Sequence, residues 1–591
     1  MESKWVVYGK KADFKAVGDA FNIDQVTARV IRNRDIIEYE DIHMYLNGTL
    51  SDCHEPSLMA DMDKGCKIIK DKIAQEKHIR IISDYDVDGV MSNYILLQGL
   101  VEAGAHVSYE IPDRMLDGYG INQRIIRDAY EDGVDTIITC DNGIAAFSAI
   151  ELGKELGMTI VVTDHHEVPY EVDKDCNKVH MLVPADAVID IKREDCKYPF
   201  KGLCGAAVAY KFIRHLYNIM NISWVDENKY LEMVAIATQC DVMDLIDENR
   251  IYVKQGLKLL TNTDNLGLRA LLEVNQLKGK VLSSYHLGFV IGPCINATGR
   301  LESAKRGLEL LLCGDYDDAL DMAEELKQLN VTRKDMTNKG VEEAISTVNS
   351  VGEVDDVLVV YMPNLHESLA GIVAGRIREN FYRPVFVITD SEGDIIKGSG
   401  RSIEGYHMFD ALTECKDLLL KFGGHELAAG FSLEKRNLDA FRERLLEKSK
   451  LTKEQLIPVV RIDVPMPVSY ITPRLVEELA LLEPFGKANE KPTFAQAGLG
   501  IKSARFIGNE GRFIKILFQD ESGYIIEGVD FNANKFIECI KMWFSDEECD
   551  KMLSGLPNEI KLDVAYYPDV NEFNGRCTLQ IKPVLYRKSE S

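Results

Sequence analysis

Carboxylates and imidazoles stand at the ends of four separated segments of this sequence. Asp84-Tyr85-Asp86-Val87-Asp88-Gly89 directly follows the apolar run Ile79-Arg80-Ile81-Ile82. Asp141-Asn142-Gly143 and Thr163-Asp164-His165-His166 follow two further apolar runs. Asp241 lies within Ala237-Thr238-Gln239-Cys240-Asp241-Val242, after an apolar run of helical character. Carboxylates gathered from these segments would repel one another unless a cation lay among them. Carboxylate-rich sets with one or two imidazoles suit Mn²⁺ or Mg²⁺ better than the thiolate sites that hold zinc. Two such ions about 3.5–4 Å apart activate a water and stabilise the leaving oxygen of a phosphodiester. The chemistry to expect is metal-assisted hydrolysis of a phosphate ester.

Simpler readings exist for each segment taken alone. Asp-Xaa-Asp-Xaa-Asp-Gly resembles a calcium-binding EF-hand loop, which needs glutamate at its twelfth position. Counted from Asp84 that position is Ile95, so the loop fails. Asp141-Asn142-Gly143 alone reads as a turn, and a His-His pair alone as surface or cap chemistry. The metal reading rests on the four segments sharing one strand- or helix-end context.

The elements that must position these groups read as an α/β fold. Strands are expected at 79–82, 107–111, 134–139 and 159–163, with helices at 89–103 and 145–156 between them. Strands alternating with helices of this length imply a parallel, doubly wound sheet. Ligand sites of such sheets lie outside the carboxyl ends of the strands. Residues 205–345 are helix-rich, and Asp315 to Ala344 reads as a long connecting helix. A second α/β unit follows, with strands near 356–361, 384–389 and 428–433, a Gly/Ser-rich stretch at 397–402 and a helix at 408–421. Alternating runs at 459–464, 494–506, 512–518, 525–531, 561–566 and 578–584 suggest a small C-terminal barrel of OB-like type. The expected division is 1–65 (helical), 66–250 (catalytic), 251–350 (helical connector), 351–452 (second α/β) and 453–591 (barrel).

Composition narrows the class. The 591 residues suit several domains. Hydrophobic residues at 46% and charged residues at 28% are ordinary for a globular protein. No run reaches the ~20 apolar residues of a membrane span, and the start lacks the apolar core of a secretory signal. A cytoplasmic location is expected, with no membrane partner. The 13 cysteines form no CxxC pair, which argues against a disulfide framework or structural zinc. A net charge of −26 argues against a generic nucleic-acid coat protein, though not against an enzyme with a locally basic cleft.

With these motifs in view, the sequence resembles the DHH phosphoesterases, and most specifically their RecJ-like exonucleases. The order and spacing of Asp84–Gly89, Asp141–Gly143, Asp164–His166 and Asp241 match the family's four motifs. The resemblance implies that Asp86 and Asp88 hold metal, that Asp141 bridges two ions and that His165 ligates with Asp241. It implies catalytic roles for His166, facing the scissile phosphate, and for Asp84. Arg114 and Tyr119, in the segments Ile111–Arg114 and Asp117–Gly120, resemble DNA-contacting residues. Asn296-Ala297-Thr298-Gly299-Arg300-Leu301 resembles a RecJ motif and brings Asn296 and Arg300 into the expected substrate site. His366, Gly371 to Val373, Gly375 and Arg376 resemble the first signature of a DHH-associated domain. Ser399-Gly400-Arg401-Ser402 and Gly423-Gly424-His425 resemble its later ones, implicating Ser399, Arg401, Gly424 and His425. Glu483-Pro484-Phe485-Gly486 with Asn489 and Pro492 resembles the segment that opens a RecJ OB-like domain. Departures are Leu365, where relatives often carry Trp, and Glu367-Ser368-Leu369 in place of Glu-Gly-Val. A further C-terminal domain of some relatives is expected to be missing.

Physically, Arg114, Arg300, Arg376 and Arg401 are planar donors suited to phosphate, although a single arginine is more often a surface ion-pair residue. Gly423-Gly424-His425 also fits a helix C-cap, ending a helix at Lys421-Phe422. In the barrel, Lys487, Lys502, Arg505, Arg512 and Lys515 are candidates for a basic track. The leading expectation is a two-metal exonuclease on single-stranded DNA, 5′ to 3′ by resemblance only, working with a helicase and a single-strand-binding protein. A family enzyme acting on short RNA or cyclic dinucleotides, and a non-catalytic scaffold, stand as alternatives.

Overall fold

The computed structural model describes residues 3–590 apart from 115–116, 118–119, 173–176, 225, 227, 351, 353, 509–510 and 574–575. The chain divides into two units, residues 52–458 and residues 3–51 together with 459–591.

The larger unit begins on five parallel strands: β1 (His78–Ser83), β2 (His106–Glu110), β3 (Thr136–Cys140), β4 (Thr159–Asp164) and β5 (Ala187–Asp190). Their order is β2-β1-β3-β4-β5. Every residue of β3 and β5 is buried, because helices cover both faces of a parallel sheet. Ile82, Ile137, Ile160 and Val162 pack with Ile125, Ile126 and Ile150 of the helices Gln123–Glu131 and Phe147–Glu155. Val161 and Ile189, one residue out of phase, face Gly65 and Phe212 on the opposite side, as the two-residue strand period requires. Helices α1 (Val87–Glu102), α2 (Gly205–Met220) and α3 (Leu231–Cys240) follow. Gly99 of α1 lets Ile213 of α2 approach closely; a Cβ there would lie 2.6 Å from Ile213 Cγ2.

After helix α4 (Gly292–Leu301), the 35-residue helix α5 (Tyr316–Ser350) leads to the second sheet. That sheet comprises β6 (Leu358–Tyr361), β7 (Val385–Asp390), β8 (Ile395–Arg401), β9 (Leu419–Gly424) and β10 (Ala428–Glu434), in the order β9-β10-β8-β7-β6. Helix α6 (Ala370–Phe381) packs on it. One expectation fails here. The helix expected over 408–421 ends at Thr413, and Leu419–Gly424 is a strand with Phe422 paired to Phe431. Cross-strand packing outweighs the helical periodicity of Leu418-Leu419-Leu420. The Gly423-Gly424 pair therefore ends a strand rather than capping a helix. Gly424 has φ +146°, and a Cβ there would collide with the Ala428 carbonyl oxygen. Glycine alone takes that conformation without cost.

In the second unit, Phe494–Ile507, Phe513–Gln519, Ile525–Asp530, Arg576–Lys588 and Lys561–Phe573 pair in that order. The last pairs back to the first, closing a five-stranded barrel. Residues 3–51, read from the sequence within a separate helical segment, share this unit's core. Ile23, Val30, Ile31 and Ile42 pack with Leu475, Leu479, Val464 and Phe494. Lys4–Val7 pairs in parallel with Val459–Ile462. Asn489 is fully buried, donating to the carbonyls of Leu482 (2.9 Å) and Pro484 (2.8 Å) and accepting from the Tyr45 hydroxyl (2.8 Å). No helix of the described residues is long and apolar enough to cross a membrane, and the described cysteines are free thiols.

Candidate active site

Adjacency of β1, β3 and β4 delivers Asp84, Asp141 and Asp164 to one rim of the first sheet. Asp86 is the N-cap of α1, its Oδ1 accepting from the Gly89 N–H at 3.1 Å. Glycine is needed at 89, because a Cβ would collide with the Asp84 carbonyl oxygen. Asp88 lies in the first turn of α1, fully buried, and its carboxylate accepts from the N–H groups of Gly205 (2.6 Å) and Ala206 (2.7 Å). The start of α2 thus receives an anion, as helix N-termini do. Asp141 takes φ +59°, a left-handed conformation. Aspartate tolerates it better than most residues. Asp241 is the residue that ends α3.

His165 sits at the centre. Its Nε2 is 3.0 Å from Asp141 Oδ1, 3.5 Å from Asp88 Oδ2 and 3.8 Å from Asp241 Oδ2. Ligand-type atoms lie within 4.8 Å of one another in three overlapping groups: Asp84-Asp86-Asp141, Asp88-His165-Asp241 and Asp141-His165-His166. Asp84, expected as a catalytic group, thus also offers an oxygen to the first group, and its Oδ1 is buried without a hydrogen-bond partner. Hard oxygens, one or two imidazoles and no thiolate make a donor set that fits Mn²⁺ or Mg²⁺.

The electrostatics agree. Burial, and then the neighbouring carboxylates, push Asp84 and Asp141 well above the usual range. The same causes raise Asp88 to about 7 and Asp241 to about 8. Burial and the adjacent His166 lower His165 to about 3, so its ring is neutral and can donate a lone pair. His166 behaves oppositely. Burial disfavours its charge, but the hydrogen bond from its Nδ1 to Asp164 Oδ1 (2.7 Å) and that carboxylate's charge raise it to about 9. Asp164 also accepts from the N–H groups of Ile144, His165 and His166.

A pH dependence follows. Carboxyls whose folded pKa is raised bind more protons folded than unfolded, so stability falls as pH rises between the two values. For Asp241 that window runs from near 3.8 to about 8. The metal-free protein is expected to melt lower at pH 8 than at pH 5 in calorimetry, and saturating Mn²⁺ to remove the slope. A flat metal-free profile would contradict the repulsive cluster.

His54, Asp247 and Glu248 form another group within ligand range. There Glu248 is fully satisfied inside the protein, by Lys211, by the hydroxyls of Tyr198 and Tyr252 (2.8 Å for the latter) and by the His54 N–H (3.2 Å). That is a structural ion-pair network rather than a cation site.

Beside the carboxylates, a cleft of about 340 Å³ is lined by Arg114, Arg300, Ser368, Lys397, Ser399 and Arg401 among others. Arg300 donates to the Ser368 carbonyl (2.7 Å), Arg401 to its neighbour Gly400 (2.8 Å), and Arg114 lies over the Tyr85 ring at 5.1 Å. Gly371 opens the cleft, since a Cβ would stand 2.8 Å from Arg401 Nη2 and 2.9 Å from Ser399 Oγ. Other sequence-derived residues sit elsewhere. Arg376 points outward, paired with Glu379 at 3.3 Å. Gly424 and His425 lie exposed at the end of β9, outside the cleft lining. Asn296 holds α1 by accepting from the Val87 N–H (3.2 Å), and Gly299 leaves room for the Tyr85 carbonyl, with which a Cβ would collide. Tyr119 lies outside the described residues. The sequence reading missed Ser368 and Lys397 in the cleft, and Asp190, a buried acid at the end of β5 raised to about 8 by burial and by Asp164. Its position after the apolar run Ala187-Val188-Ile189 was the available signal.

A parallel α/β sheet with this centre on its carboxyl rim, joined by a long helix to a second α/β lobe carrying an arginine-lined cleft, defines a DHH-type phosphoesterase. Residues 78–238 match the N-terminal domain of the DHH family, 355–450 the DHHA1 domain and 462–583 the RecJ OB domain. The single-stranded-DNA-specific exonuclease RecJ of Bacillus subtilis (strain 168) is 34% identical over 91% of this chain and 67% of its own. RecJ of Dickeya dadantii (strain 3937) is 32% identical over 94% of both. The crystal structure of RecJ from Thermus thermophilus in complex with Mn²⁺ matches with TM-score 0.81 and 26% identity, covering 100% of this chain and 80% of that one. Its complex with Mg²⁺ matches with TM-score 0.75 and 25% identity, over 100% and 79%. The chain belongs to the RecJ family.

Proposed function

We propose that this protein is a metal-dependent exonuclease that hydrolyses single-stranded DNA from the 5′ end, releasing mononucleotides, in repair and recombination. The observation that carries the reading is the pair of ligand groups, Asp84-Asp86-Asp141 and Asp88-His165-Asp241, joined through the 3.0 Å contact of His165 with Asp141. Asp86, Asp88, Asp141, His165 and Asp241 would hold two ions, with Asp141 shared. Two Mn²⁺ or Mg²⁺ ions there supply an activated water and charge for the departing oxygen. His166, kept cationic by Asp164, places positive charge beside the scissile phosphate. Arg114, Arg300, Ser399 and Arg401 receive phosphate oxygens in the cleft.

The OB-type barrel favours a polymeric single strand over short RNA or cyclic dinucleotides, because such barrels offer a groove several nucleotides long. Lys502 and Arg505 are exposed on it, whereas Lys515 is paired with Glu527 at 2.6 Å. The reading extends to a cytoplasmic location and to cooperation with a helicase that supplies the strand and a protein that coats it. The test is incubation of end-labelled single and double strands, and of 2–5-mers, with the protein and Mn²⁺. The expected result is mononucleotides from the 5′ end of long single strands only. Faster turnover of the short substrates would favour the alternative, and no release from single strands would overturn the proposal.

A further inference from the structure

Helix α5 presents a buried stripe spaced by threes and fours: Ala319, Ala323, Leu326, Asn330, Thr337, Gly340, Ala344 and Val348. Arg333 occupies the position in that stripe between Asn330 and Thr337 and is only half-buried. It is the charged member of an otherwise small, apolar or neutral seam. Asn330, buried beside α4 where its Nδ2 reaches Cys294 Sγ at 3.6 Å, fixes the guanidinium. Its Oδ1 accepts from Arg333 Nε at 3.1 Å and Nη2 at 2.9 Å. Two of arginine's five N–H donors are thereby used. Among the described residues no carboxylate oxygen pairs with Arg333.

The chain as a whole is acidic, with 95 acidic and 69 basic residues. A partly desolvated cation with no counter-charge costs stability unless an anion arrives. The next guanidiniums have like charge rather than opposite. Arg300, on α4, is lowered to about 10 by burial and then by Arg114 and Arg333. Arg333 in turn is lowered by burial, with Arg376 adding to the shift. Arg114 and Arg300 line the cleft, and Arg300 is within electrostatic range of Asp86 in the carboxylate cluster. Arg333 is within electrostatic range of Arg300 in turn.

We propose that Arg333 is a further positioning residue for the substrate, contacting a backbone phosphate of the strand beyond the one bound by Arg300. This rests on the single-strand nuclease reading. An arginine made rigid by Asn330 and lacking its own acid is suited to a phosphate, for which the planar fork is pre-organised. Being remote from the reacting bond, it would act on binding and register, not on the chemical step.

The experiment compares wild type with Arg333→Ala, Arg333→Lys and, as a neutralised control, Arg306→Ala, whose guanidinium pairs with Glu325 at 3.1 Å. Binding of a fluorescent single strand is measured in EDTA, and hydrolysis with Mn²⁺ on a dinucleotide and a long strand. Arg333→Ala should weaken long-strand binding about tenfold, the scale of one hydrogen bond to a charged group. It should lower the slope of log affinity against log salt by about one. KM on the long strand should rise with kcat kept, the dinucleotide should be unaffected, and Arg333→Lys should restore part of the loss. Unchanged binding and salt slope would overturn the proposal. Equal losses on dinucleotide and long strand, with a lowered melting temperature, would also overturn it by showing a structural role. Binding in EDTA reads the contact even if the wild type fails to cleave, which separates this proposal from the nuclease assignment.

Discussion

Asp141→Asn is expected to abolish cleavage while making the metal-free protein more stable. Among the described residues, Asp141 is the one carboxylate that belongs to the first ligand group and also touches His165 of the second. An amide keeps its shape and the left-handed backbone at φ +59°. Asparagine also adopts that conformation. The change removes the negative charge that both groups share. Loss of a shared anionic ligand should cost at least about a thousandfold in rate, or ~4 kcal/mol of barrier. The same change relieves a fully buried carboxylate surrounded by Asp88, Asp86, Asp84 and Asp241. In EDTA the variant should therefore melt above the wild type. A gain of about 1 kcal/mol corresponds to on the order of 2–4 °C for a medium-sized domain. With Mn²⁺ the order should reverse, because only the wild type gains full binding energy from the ions. Strand binding in EDTA should persist, since the arginines of the cleft are untouched. Cleavage within tenfold of wild type would refute the shared role of Asp141.

The second large effect comes from adding one methyl group. A Cβ at Gly205 would stand 2.7 Å from Asp141 Cβ, 3.0 Å from its Oδ1 and 3.1 Å from its Cα, closer than packed carbons come. Either Asp141 or the start of α2 must shift, and the first two amides of α2 hold the Asp88 carboxylate. Gly205→Ala therefore disturbs both ligand groups at once. A displacement near 1 Å at a reacting centre costs about a hundredfold in rate. Overpacking of this kind costs about 1–3 kcal/mol of stability. Calorimetric titration with Mn²⁺ should show weakened affinity in a folded protein. Gly314→Ala, with no atom within 4 Å of the new Cβ, should behave as wild type. Normal metal affinity in Gly205→Ala would show that the clash is absorbed elsewhere.

Much of the site is legible in the sequence because its groups follow strands whose own pattern is plain. Residues 79–82 and 159–162 are short, largely β-branched runs that read as strands, and the residue types just past them announce a cation. What local pattern left open has a common cause. Leu418-Leu419-Leu420-Lys421-Phe422 fits a helix or a strand, and pairing with Ala428–Glu434 decided between them. Arg376 and Arg401 looked equivalent as glycine-flanked arginines. Only packing showed that one pairs with Glu379 at the surface and the other lines the cleft.

By itself, then, the amino-acid sequence determined the alternation of strands and helices, the carboxylates at their ends and the kind of ion such donors take. These are properties of residue type and local period, carried within a dozen neighbours. Tertiary structure alone decided that β1, β3 and β4 lie side by side, so that Asp84, Asp141 and His165 converge. It alone set the amides of Gly205 and Ala206 on Asp88, 117 and 118 positions away, and left Arg333 with no carboxylate partner among the described residues. Such contacts depend on how a sheet orders its strands and how helices pack across it, which no local period encodes.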